Sequence, residues 1–147
     1  MSLSDAIGEY CEMYLSGDYD NAFHGLLEMT PAILPDLMAA YRVEHDTQIR
    51  LFLLNVIWEY RDQSVIPLLG EALFDLQKRI WQEALDGLVA LASPTAVDAL
   101  RAAWCRQFTT EHDTETFQLW LAEAIEQAEQ AVLLSRSLCE EGTEESP

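Results

Sequence analysis

Basic side chains are scarce in this chain: eight Lys and Arg stand against 26 Asp and Glu among 147 residues, a formal charge of −18 at neutral pH. A field of that sign repels nucleic-acid phosphates and anionic lipid, so neither nucleic acid nor a membrane surface is expected as a partner. Cysteine is sparse too. Cys11, Cys105 and Cys139 are an odd number without CxxC spacing, which argues against a disulfide framework or a structural zinc site and for a reducing compartment. Glycine is scarce, and Asp86-Gly87, inside a helical pattern, is the lone Asn-Gly or Asp-Gly dipeptide; β-hairpin signals are missing. No apolar run reaches the length of a membrane span, residues 49–58 being already broken by Arg50 and Asn55. The first six residues carry no basic n-region, so no signal peptide is expected and a cytoplasmic location is.

Half of the residues are hydrophobic, with four Trp, five Tyr and five Phe, a composition that folds. Residues 1–139 are expected to form one domain. Residues 140–147 lack apolar side chains and are expected to be an acidic, disordered tail. The acidity is uneven: residues 1–41 carry −7 with no base, residues 107–147 carry −9, and the middle only −2.

Apolar residues recur at helical spacing along the chain, beginning with Leu3, Ala6, Ile7, Tyr10, Cys11, Tyr14 and Leu15 ahead of Gly17. A shift of 31 residues exposes a repeat: Ile49 falls on Ile80, Leu54 on Leu85, Ile57 on Leu88, Val65 on Ala96, Ile66 on Val97 and Leu69 on Leu100. An earlier copy of the second helix begins at Pro31, which aligns with Pro94, and Tyr41 there meets Trp104. Glu44-His45-Asp46-Thr47 recurs as Glu111-His112-Asp113-Thr114.

These segments resemble the HEAT family of helical repeats. The likeness is carried by Ile49-Arg50, Asp62 and Val65-Ile66-Pro67-Leu68-Leu69, then by Ile80-Trp81 and the run from Ser93 to Leu100, and it covers roughly residues 18–125. The resemblance implies an all-α fold, a short right-handed α-solenoid of HEAT-like helical hairpins with N- and C-terminal capping helices. Trp81 departs from the usual Arg, and Leu53-Leu54 from the usual small pair, which implies wider helix spacing. The expected layout has helices at about 3–16, 20–29 and 32–43, hairpins at about 47–74 and 76–107, and a long last helix at about 114–138. Asp20, Asp46 and Asp113 are the expected N-caps.

Chemistry finds little to stand on. The two His-containing segments lie 67 residues apart, about two repeats, so they read as helix entries and not as a shared metal site. No G-x-S-x-G turn or phosphate-cradling loop occurs. Cys11 and Cys105 are expected on buried faces. No catalytic residue, metal or cofactor is assigned.

The expectation is therefore a non-enzymatic protein–protein interaction module. Acidity serves solubility in one reading and a basic protein partner in the other, its sharper form being an immunity-type inhibitor covering a basic toxin, its milder one an adaptor. Asp18, Asp20 and Glu28 are candidate contacts. So are Asp36, Glu71, Asp75 and Asp98, of which Glu71, Asp75 and Asp98 belong to a row expected to line the concave side on the second, or B, helix of each hairpin (the first being A), with Pro35, Ala39, Val43, Pro67, Ala102 and Arg106. Trp58 and Trp81 are the candidate aromatic contacts, while Trp104 and Trp120 are assigned to the core. Since some HEAT-like proteins assist covalent attachment of bilin chromophores, the resemblance also admits an accessory subunit of such a lyase.

Overall fold

In a computed structural model the described residues are 2–144, with side chains described as far as residue 137. Among them the chain is all-helical. The helices are α1 (Leu3–Leu15), α2 (Tyr19–Leu27), α3 (Leu34–Val43), α4 (Thr47–Glu59), α5 (Ile66–Ala72), α6 (Lys78–Leu91), α7 (Pro94–Ala102) and α8 (Glu111–Glu144). Short 3₁₀ turns at Pro31–Ile33, Gln63–Val65 and Ala103–Cys105 lead into α3, lead into α5 and follow α7. No described helix is long and apolar enough to cross a membrane.

Local chemistry sets the helix starts. Ser2 and Asp5 form a capping box on α1, and the Asp46 carboxylate accepts from the backbone N–H groups of Gln48 and Ile49 at the head of α4. Thr30, Asp62 and Ser93 accept from Ala32, Ser64 and Ala96 N–H where the chain enters the B helices. Pro31, Pro35, Pro67 and Pro94 occupy first or second helical positions, where the missing N–H costs nothing.

The 31-residue shift is present in three dimensions. Thr47 opens α4 and Lys78 opens α6. Ile49 and Ile80, Leu54 and Leu85, Ile57 and Leu88, Val65 and Ala96, and Leu69 and Leu100 are buried pair by pair. The two turns agree as well: among the described residues Arg61 (φ 57°) and Ala92 (φ 46°), 31 residues apart, are the non-glycine residues in the left-handed region. Each lets an A helix stop and reverse before the capping Asp62 or Ser93. The backbones pack mostly between successive units: α3 on α4, α4 on α6, α5 on α6 and α7, and α6 and α7 on α8. Helix α4 thus lies between α2 and α6, and α6 between α4 and α8.

Helix ends are closed by side chains from elsewhere in the chain. The Tyr60 hydroxyl donates to Leu26 O and, at 3.2 Å, to Met29 O at the end of α2, and burial raises its pKa. Arg61 donates to Ala90 O near the end of α6 at 3.2 Å. Arg106, 8% exposed, donates to Leu73 O and, at 2.7 Å, to Asp75 O beyond α5.

Several expectations are corrected. Asp20 lies inside the first turn of α2, with Asp18 at the cap position, and Asp113 lies inside α8, whose first turn is entered by Thr110 accepting from Asp113 N–H. The second Glu-His-Asp-Thr segment is therefore the opening turn of α8. Trp81 is core, 3% exposed, because α8 covers that side of α6: Phe117 meets its ring edge-on at 5.0 Å and Phe108 and Trp120 at 6.3 and 6.2 Å. Trp104 and Trp120, assigned to the core, are 41% and 45% exposed. At Trp104 the cause is the tightening to 3₁₀ geometry, in which Leu100 is followed inward by Ala103 and then Arg106 at intervals of three. The same change exposes Cys105 and buries Arg106, the expected outer end of the B-helix row. Cys11 is only half-buried. Helix α8 runs to Glu144, past the expected end; residues 145–147 of the expected tail, and the Cys139 side chain, lie outside what is described.

Leu69 and Leu100, equivalent and fully buried, should each cost about 2–5 kcal/mol when truncated to Ala, measured by urea unfolding; a loss no larger than that of a surface substitution would refute the shared register. Ala92→Gly relieves a left-handed alanine, costing about 1–2 kcal/mol, against glycine's entropic disadvantage of about 0.4–1. The same unfolding assay should show a net gain of roughly 0.5–1 kcal/mol.

Candidate protein-binding surface

The predicted contact residues do not form one patch. Asp18 is exposed and accepts from the Asn21 amide at 3.0 Å. Asp20 and Glu28, also on the α2 side, are exposed. On the B-helix side Asp36 is half-buried, and Pro35, Ala39, Val43, Pro67, Asp98 and Ala102 are exposed. Glu71 pairs with Arg42 at 3.3 Å in an open, solvated setting, worth little. Asp75 and Trp81 leave the set of surface residues. The Asp75 side chain is 15% exposed and is the ion-pair partner of Arg50, while Trp81 is enclosed as described. Trp58 is half-buried, with Arg61 over its ring at 5.4 Å.

What the fold does assemble is a groove on the other side, of about 390 Å³, lined by Tyr14 of α1, Tyr19, Asp20 and Phe23 of α2, Leu51, Phe52 and Asn55 of α4, and Glu83 of α6. Tyr14 stacks on Phe52 with centroids 4.5 Å apart and meets Tyr19 edge-on at 5.0 Å. Tyr19 stands 59% exposed at the rim. Glu83 is held from α4: its Oε1 accepts from Asn55 Nδ2 at 2.7 Å and from Trp58 Nε1 at 2.9 Å. Trp58 is placed in turn by Gly87, where an added Cβ would lie 2.8 Å from the indole Cγ. One turn after Glu83, Asp86 has its pKa raised by burial and by the Glu83 charge. Asp86 borders a second groove of about 120 Å³ with Trp120 and Glu123 between α6 and α8. None of the ion pairs among the described residues involves Asp20, Glu83, Asp86 or Glu123.

Reasoning from sequence missed Glu83, Asn55, Tyr14, Tyr19 and Phe23. A signal existed for Glu83: the 31-residue shift places it on buried Phe52, an acid where the preceding copy has core. Of the thiols, burial and the neighbouring Glu44 push Cys11 up to about 11, so it is protonated and a poor nucleophile at neutral pH. His45 and His112 are exposed. Among the described residues no three His, Cys, Asp or Glu side chains converge as metal ligands would.

Compared with known proteins, the chain matches no family model, no curated protein and no solved structure.

Gly87→Ala tests the support of Glu83. Alanine gains about 1 kcal/mol of helix preference, but overpacking against the indole costs about 1–3. The variant should be less stable by about 1–2 kcal/mol, and its Trp58 indole N–H resonance should move, since the bond to Glu83 is displaced. An unchanged resonance with raised stability would show the indole free to yield.

Proposed function

We propose that this protein is a short right-handed α-solenoid of HEAT-like hairpins with capping helices at both ends, acting as a non-enzymatic interaction module for a basic protein. The repeat architecture is supported by the coincident starts of α4 and α6, the paired buried positions and the left-handed Arg61 and Ala92 at equivalent turns. An inhibitor that covers a basic toxin, or an adaptor for another basic protein, would use such a surface in the same way.

The observation that carries the reading is the uncompensated charge of the α2 side. Residues 1–41 contain no Lys or Arg. Elsewhere Arg42, Arg50 and Arg101 are in ion pairs within the chain, and Arg61 and Arg106 donate to backbone carbonyls. The acids bordering the aromatic groove consequently face outward without internal neutralisation, which favours fast capture of a cationic surface. Solubility alone has no need for acids to be gathered beside exposed aromatic rings.

The test is association kinetics with a partner recovered by affinity capture from the source cells. The rate should fall as salt rises, since screening shortens the field to about 8 Å at physiological ionic strength. Neutralising Asp18, Asp20 and Glu28 together should slow association more than it speeds dissociation. A rate indifferent to salt, or a partner as acidic as this chain, would overturn the proposal.

A further inference from the structure

The aromatic groove among α1, α2, α4 and α6 permits a narrower statement, which rests on the reading of this chain as a binder of a basic protein. We infer that the groove seats an arginine side chain of that partner, its guanidinium between the carboxylates of Glu83 and Asp20 and against the rings of Tyr14, Tyr19 and Phe23.

Three features carry this. First, Glu83 is oriented, not merely present. Both protein donors, Asn55 Nδ2 and Trp58 Nε1, converge on Oε1, and no hydrogen bond among the described residues reaches Oε2. One oxygen is fixed by the fold and the other is left for an incoming donor. Second, the remaining surface of the groove is aromatic. Tyr14 is immobilised against Phe52, Phe23 meets His24 edge-on at 5.3 Å, and Tyr19 projects at the rim. Arg61 already lies over Trp58, so the rings available to a visitor are those of α1 and α2. Third, the charge is of one sign, as no Lys or Arg lines the groove.

A planar guanidinium satisfies all three at once. It donates through several fixed N–H groups to separate carboxylates and stacks on aromatic faces, and it sheds water more readily than an ammonium. Lysine offers a compact, strongly hydrated charge that uses the rings less well. A second copy of this chain is a poor occupant, since it is itself strongly acidic and five of its eight bases are engaged internally.

The experiment titrates the full-length ¹⁵N-labelled protein with a blocked pentapeptide, Gly-Ser-X-Ser-Gly, in which X is arginine, lysine or citrulline. The arginine peptide should move the Trp58 indole N–H resonance saturably, together with the backbone amides of Asp20 and Asn55. The lysine peptide should bind about threefold or more weaker, and the citrulline peptide should leave these resonances in place. Glu83→Gln retains an acceptor for Asn55 and Trp58, removes the charge and turns the free acceptor into a donor. It and Asp20→Asn, at an exposed site, should each weaken the arginine peptide about tenfold, equivalent to ~1.4 kcal/mol. Glu115→Gln, which removes the same charge from the exposed face of α8, should leave binding unchanged. Equal loss in Glu83→Gln and Glu115→Gln, or lysine binding as tightly as arginine, would overturn the arginine site. A basic partner whose salt-sensitive association ignores Glu83→Gln would overturn this site and leave the broader function standing. Failure of the salt test alone would strike the function itself.

Discussion

A buried guanidinium at the join between successive units is the constraint on which the second half of the molecule depends. Arg106 has no carboxylate as hydrogen-bond partner; its donors meet the carbonyls of Leu73 and Asp75, and it lies 4.0 Å over the Phe108 ring and 5.3 Å from that of Phe117. Burial lowers its pKa while the Asp75 charge opposes that shift. The same Asp75 binds Arg50, which reaches Tyr41 at 3.4 Å, and accepts from Gln77 N–H at 2.9 Å. One short connection between α5 and α6 thus ties together α3, α4 and the segment leading to α8. Helix-ending carbonyls need donors, and here the next unit supplies them. Removing Arg106 would leave those carbonyls unpaired beneath an aromatic cluster, whereas removing Asp75 would strand Arg50.

This use of cations clarifies the charge balance. Arg50, Arg61 and Arg106 serve a half-buried carboxylate or helix-ending carbonyls, and Arg42 and Arg101 pair with Glu71 and Glu129, so none of these five neutralises the acids of the α2 side. The Tyr60 hydroxyl performs at the end of α2 what Arg106 performs beyond α5, with no charge at all.

Much of the fold was legible in the sequence, because period and copy are local properties. The 31-residue shift relates the observed starts of α4 and α6, although the expected layout began the second hairpin two residues early, and apolar pairing placed Leu69 and Leu100 correctly in the core. Legibility failed where geometry departs from the regular helix. Extending the 3.6-residue period through Trp104 put that ring inside; the tightened turn at Ala103–Cys105 turned it out and brought Arg106 in. Trp81 failed for another reason: whether a face is open depends on the next helix, and α8 covers it. The groove was the least legible part, since its lining comes from four helices separated in sequence. Asp20 was among the expected contacts, and of the other lining residues Glu83 alone carried a signal, its mismatch with Phe52.

The order in which helices touch has a kinetic consequence. Most packing joins elements that are neighbours or next neighbours along the chain, α1 with α2, α3 with α4, α5 with α6 and α7 with α8, so few long loops must close before contacts begin to compensate for lost entropy. Chains of that kind fold fast. Cooperativity then spreads outward from a centre, here α4 and α6, which are flanked on both sides, while α1 and the far end of α8 have neighbours on one side only. Amide exchange protection should therefore be graded along the molecule, deepest in α4 and α6 and shallowest beyond Ala128, the last fully buried side chain of α8 among the described residues. The groove spans that gradient, with Glu83 and Asn55 on the central helices, Tyr14 on the outer α1, and Tyr19 and Asp20 on α2 between α1 and α4.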